Sequence, residues 1–122
     1  MSQNLLDVER SDAGVWRVYL NRPEVRNAFN SEVIQALHLA FERIHGDPQA
    51  KVVVLGGHGK AFCAGGDLNW MRAMADYDWE DNRRDAQAMA DMMAMIEACQ
   101  VPIVGRVHGD CYAGGIDRKS VV

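Results

Sequence analysis

An α/β fold is what this sequence predicts, and three observations predict it. Two β-branched runs, Val52–Leu55 and Val101–Val107, have the length and composition of buried strands. Segments 33–44 and 80–98 instead repeat apolar residues at helical spacing. Each strand run leads into a glycine turn, at Gly65-Gly66 and at Gly114-Gly115. One strand-to-glycine-turn unit therefore occurs twice, separated by a helix, which places both turns at one edge of the sheet.

Leu5, Leu6 and Val8 make a first short strand, Ser11-Asp12-Ala13-Gly14 a turn, and Val15, Trp16, Val18 and Leu20 a second strand. This is a β-hairpin. Pro23 ends it, and residues 21–30 read as a loop. Asn30-Ser31 supplies a helix N-cap with Glu32 in the first turn. Val33, Leu37, Ala40, Phe41 and Ile44 share one helical stripe, and Gly46, Asp47 and Pro48 close that helix. The strand at Lys51–Leu55 follows, with Gly56, Gly57 and Gly59 marking its exit. Asp67 opens a short apolar-periodic segment (Leu68, Met71, Met74). Glu80–Ala98 is a long helix with Ala86, Met89, Ala90, Met93 and Ile96 inward and a charged face at Asp81, Arg83, Arg84 and Asp85. The strand at Val101–Val107 accepts Pro102 near its start.

At 122 residues the chain fits one domain. Its apolar fraction of 48% and charged fraction of 25% are those of an ordinary globular protein. A net charge of −4 argues against a nucleic-acid-coating protein, though not against a small anionic ligand. The N-terminus is polar, so no secretory leader is expected, and no run reaches membrane-spanning length, so no membrane partner is. Cys63, Cys99 and Cys111 form neither an even set nor a CxxC pair. A disulfide framework and a zinc site are therefore not expected, and a reducing, cytoplasmic setting is.

The stretch Lys60–Met71, KAFCAGGDLNWM, concentrates the chemistry. A strand, a glycine turn and a helix start in succession expose backbone N–H groups that lack intrahelical partners. Such a place holds an anion or a developing oxyanion. A plain strand-to-helix turn has the same residues, and this stretch alone does not separate the two.

Three segments together carry a resemblance: LNRPEVRNAFN (Leu20–Asn30), VVVLGGHGKAFCAGGDLNWM (Val52–Met71) and VPIVGRVHGDCYAGG (Val101–Gly115). In this order they resemble the enoyl-CoA hydratase/isomerase (crotonase) superfamily. GGDLNWM followed by Trp79–Asp85 is similar to its 3-methylglutaconyl-CoA hydratase branch, of leucine and acyclic-isoprenoid catabolism. The resemblance implies a crotonase-like ββα spiral, truncated here, with residues 1–115 the N-terminal part of a domain and 116–122 an atypical tail. It implies an acyl-CoA substrate, coenzyme A entering as part of it with no separate cofactor or metal, and a homotrimer or hexamer for the parent protein. Two backbone N–H groups that stabilise an enolate oxyanion fall, by motif, at Gly66 and Gly114. Ala64, Asp67 and Leu68 match positions whose backbone contacts the adenine and pantetheine of CoA. Arg26 matches a basic position near the CoA phosphates, with a solvated loop arginine as the alternative.

Family hydratases add water with one or two glutamates, and an ungapped count from Gly114 puts the first at Asp117. Its side chain is one methylene short, and Arg118-Lys119 departs from the family's small apolar helix. In the methylglutaconyl-like branch this position is commonly glycine, which leaves the work to a glutamate beyond Val122. Two functions follow: hydration of an enoyl-CoA, or a truncated, inactive remnant with at most weak CoA binding. Isomerisation, dehalogenation and thioester hydrolysis are near variants of the first. A mononucleotide-binding module fits worse, since neither glycine turn reads GxxxxGK[ST] or GxGxxG.

Other residues read more simply as structure. Cys63 has no activating base nearby in sequence except His58, and packing suffices for it. His38, His45, His58 and His108 lack metal-ligand spacing. Met89, Met92, Met93 and Met95 fill core or border an acyl pocket. Trp70 and Trp79 are expected to anchor the helical segment over the site.

Overall fold

The hairpin forms as the alternation demands, from β1 (Leu6–Arg10) and antiparallel β2 (Val15–Leu20). Its turn needs glycine at position 14, where φ is +87° and a Cβ would collide with the Gln49 carbonyl oxygen. The computed structural model describes residues 5–60, 62–63 and 67–106. Within them follow α1 (Ser31–His45), β3 (Val52–Gly57), α2 (Leu68–Ala75), α3 (Trp79–Glu97) and β4 (Ile103–Gly105). The sheet runs β1-β2-β3-β4, with β3 parallel to β2 and β4 parallel to β3. Parallel neighbours need crossovers. α1 provides the first, and α2 with α3 the second. The α/β class is as the sequence predicts.

One face of this sheet carries the core. Trp16, Val18 and Leu20 of β2 and Val53 and Leu55 of β3 meet Val33, Ile34, Leu37, Phe41 and Ile44 of α1. Asn30 caps α1 by accepting from the Val33 amide at 2.9 Å, so helix start and apolar stripe agree with the sequence. Met92 and Ile96 of α3 close the same core. Among the described residues no helix is long and apolar enough to cross a membrane.

Five local expectations need correction. Gly56 and Gly57 do not mark the exit of β3 but belong to it, paired with Tyr19 and Leu20. A Cβ on Gly56 would stand 2.9 Å from the Tyr19 ring, so the missing side chain makes room for that ring. The loop at 21–30 contains a 3₁₀ turn at Pro23–Val25. In α3 the innermost residue is Met92, whereas Ala86 and Ala90 lie exposed and Met89 and Met93 only half-buried. Trp79 is not an anchor among the described residues: it is 72% exposed, with the Arg83 guanidinium 5.8 Å from its ring centre. Trp70 does anchor, half-buried on the core and donating from Nε1 to Asp85 at 3.2 Å. Asp85 thus lies on a joint between α2 and α3 rather than on a purely solvated face.

Candidate functional site

Two segments make the site: the loop after β2 and the stretch that runs from β3 to α2. Asp67 ends that stretch as the N-cap of α2. Its Oδ1 accepts from the Asn69 amide at 2.7 Å and the Trp70 amide at 3.3 Å. Its Oδ2 accepts from Arg22 Nη2 at 3.0 Å, and its own amide donates to the Phe29 carbonyl at 2.7 Å. Asp67 is 8% exposed. Burial pushes its carboxyl up, but the Arg22 hydrogen bond, the two amides and the Arg22 charge outweigh that and hold it below the usual range.

Arg22 divides its guanidinium, since Nη1 also donates to the Ala28 carbonyl at 2.7 Å. Its amide donates to Asn27 Oδ1 at 2.7 Å. Asn27 is 1% exposed and sits at φ +57°, a left-handed backbone that asparagine tolerates better than most residues. Its Nδ2 donates to the carbonyls of His58 (2.9 Å) and Phe62 (3.3 Å). Cys63, fully buried, donates Sγ–H to the Asn27 carbonyl at 3.4 Å, a packing role in line with its sequence context. His58 pairs with Asp7, Nε2 to Oδ2 at 3.1 Å.

An open, polar cleft of about 360 Å³ lies beside this joint, lined by Arg22, Asn30, Glu32, Asp67, Asn69 and Trp70 among others. A larger apolar hollow of about 760 Å³ between β1 and α1 shares only Ser31 and Glu32 with it. None of the described residues singled out by the resemblance lines that hollow, whereas Asp67 lines the polar cleft, which is therefore the better candidate.

Of the residues that the resemblance assigns to catalysis or CoA binding, three are described. Arg26 is exposed in the loop at φ +53°, its amide closing the 3₁₀ turn on Pro23 at 3.2 Å. Asp67 lies at the joint, its carboxylate occupied in capping α2 and pairing Arg22. Leu68 opens α2 and is 69% exposed. Asp67 and Leu68 adjoin in the chain, and only Asp67 lines the cleft. Ala64, Gly66, Gly114 and Asp117 lie outside the described residues, as do the second glycine turn, His108 and residues 116–122. Arg22, Asn27 and Phe29 were not singled out. An arginine and an asparagine inside a loop of otherwise ordinary turn residues give only a weak signal, because Asn27 reaches the His58 and Phe62 carbonyls and Arg22 the Asp67 carboxylate, all more than 30 residues away.

Comparison with known proteins gives this joint its context. Residues 10–121 match the model of the enoyl-CoA hydratase/isomerase family, and the chain belongs to that family. It is 33% identical over 123 residues to the mitochondrial Delta(3,5)-Delta(2,4)-dienoyl-CoA isomerase of Mus musculus, covering 94% of this chain and 38% of that one. An enoyl-CoA hydratase structure from Shewanella pealeana superposes with a TM-score of 0.88 at 32% identity, over 93% of this chain and 42% of its own. One from Mycobacterium smegmatis gives 0.85 at 37% identity, over 93% and 43%. The fold is crotonase-like, and the chain spans roughly two fifths of the length of these relatives.

Proposed function

We propose that the protein binds acyl-CoA thioesters and stabilises an enolate oxyanion with two backbone N–H groups, those of Gly66 and Gly114. The observation that carries this is the family match across residues 10–121, joined to the order of β3, the 58–67 stretch and a capped α2 start. A thioester carbonyl that gains negative charge needs preorganised donors, and glycine lets the substrate approach the backbone. One such donor contributes about 2.7–4 kcal/mol to lowering the barrier. Relatives carry the names hydratase and isomerase, and we take hydration of an enoyl-CoA, in branched-chain (leucine or isoprenoid) or fatty acid catabolism, as the reaction of the parent protein. Ala64, Asp67 and Leu68 contribute backbone contacts to CoA, Arg26 faces its phosphates, and Asp117 is the candidate general base. Coenzyme A enters with the substrate, the assembly is a homotrimer or hexamer, and the setting is cytoplasmic.

The test is loss of the conjugated thioester absorbance of an enoyl-CoA. Proline at position 66 deletes one N–H, so Gly66→Pro is expected to lower turnover ~10²–10³-fold. Unchanged turnover in that variant removes Gly66 from the mechanism. A second function has one observation in its favour, that the chain spans only 38–43% of these relatives. On it, the 122-residue chain alone binds CoA without turnover. Calorimetric binding of CoA with no measurable hydration selects that outcome.

A further inference from the structure

Three consecutive positions of one loop, 27–29, lie beside both flanks of residues 64–66, and with Arg22 they hold those flanks. On the near side Asn27 Nδ2 holds the carbonyls of His58 and Phe62, and the Asn27 carbonyl accepts from Cys63 Sγ. On the far side the Phe29 carbonyl accepts the Asp67 amide at 2.7 Å, while Arg22 ties Asp67 Oδ2 to the Ala28 carbonyl. The two sides are themselves locked, because Asn27 Oδ1 accepts the Arg22 amide.

We propose that Asn27, with Arg22 as its counterpart, is a positioning residue that fixes His58, Phe62 and Cys63 on one side of residues 64–66 and Asp67 on the other, and thereby aims the amide that polarises a bound thioester. The second half of this rests on the function proposed above. Burial alone does not require these bonds. Phe62 and Cys63 are fully buried and already hold the stretch against the core. What apolar packing leaves undetermined is peptide-plane rotation, and the Asn27 hydrogen bonds fix it for the planes that carry the His58 and Phe62 carbonyls. A backbone donor acts on an oxyanion only within a narrow distance range, and a misplacement of about 1 Å costs on the order of 10²-fold in rate. Asparagine suits the place because one side chain offers an acceptor and two donors, on a left-handed backbone that β-branched residues avoid.

Asn27→Gly tests this, since glycine keeps the left-handed backbone and removes only the side chain. In the 122-residue chain without ligand, the His58 and Asp67 amides, bonded to the Leu20 and Phe29 carbonyls, are expected to exchange about tenfold faster, with Phe41 and Ile44 of α1 unchanged. With a short conjugated enoyl-CoA labelled at the thioester carbonyl, the wild-type chain is expected to lower the carbonyl stretching frequency. Asn27→Gly is expected to lose most of that shift while its affinity for CoA itself stays within about threefold, because the aimed amide meets the acyl group and not the nucleotide. An undiminished carbonyl shift, or unchanged exchange at His58 and Asp67, overturns the inference. No shift in the wild-type chain overturns the thioester function and the second half of the inference together, and the exchange rates then decide the bracing alone. Should Asn27→Gly fail to fold, Arg22→Lys keeps the charge and loses the divided guanidinium. Unchanged Asp67 exchange and an unchanged shift in that variant overturn the proposal equally.

Discussion

Asp47 shows how much one short side chain can organise. Its Oδ2 accepts from Arg10 Nε at 2.7 Å and from Trp16 Nε1 at 2.8 Å, and its Oδ1 accepts from the Gln49 amide at 3.0 Å. The hairpin is thereby tied to the connection between α1 and β3. The Arg10 guanidinium first, then the Trp16 and Gln49 donors, hold the Asp47 carboxyl down at about 2, against an ordinary 3.8. A carboxyl that is more acidic folded than unfolded adds stability above its unfolded pKa and loses it as pH falls through the folded value. Between pH about 4 and about 2 the protein should therefore weaken, and Asp47→Asn should flatten that slope in urea unfolding followed against pH. An identical slope in the variant would leave the acid sensitivity to other groups. Asp67, also held low and by Arg22, contributes with the same sign. Neither bond set is visible in the sequence as such, since the turn cluster at 46–48 signals a helix stop and nothing about Trp16.

At the scale of the elements, α1 and α3 differ in how readable they are. In α1, large apolar residues at three- and four-residue spacing point one way, and a side-chain cap worth about 1 kcal/mol fixes the start. Only Ile34 adds to the stripe read from sequence. In α3 the apolar residues other than Trp79 and Ile96 are alanines and methionines spread around much of the helix. Alanine is indifferent to burial at this scale, so the inward side was settled by contact with α1, which favours Met92. Met92→Ala is expected to cost about 2–5 kcal/mol in chemical denaturation, and Ala90→Ser on the exposed side less than about 0.5. Equal costs would contradict this orientation. The strand β3 illustrates the converse error. Glycine normally weakens a strand, but Gly56 stays paired because its neighbour across the ladder is Tyr19, whose ring occupies the space of a side chain.

For the molecule as a whole, the described sheet ends in β1 on one side and the short β4 on the other. Outermost strands offer main-chain donors and acceptors to other chains. Val104 pairs with Val54 on β4, half-buried, and a lysine there is the kind of residue that blunts such an edge. Light scattering over a concentration series is expected to show less self-association for Val104→Lys than for the parent chain. Equal self-association would direct attention to other surfaces, among them exposed Leu68, Met71 and Trp79.

The sequence by itself determined the α/β class, the order of hairpin, helices and strands, the cap and stripe of α1, and the family. Periodicity, glycine turns and three ordered motifs are local properties, and local properties survive without coordinates. Only the tertiary structure decided that Asn27 meets the His58 and Phe62 carbonyls and Arg22 the Asp67 carboxylate, that Asp67 is a buried, paired cap, and which side of α3 faces inward. Those outcomes depend on which main-chain groups and side chains meet across 30 or more residues of chain, and no spacing rule encodes such a meeting.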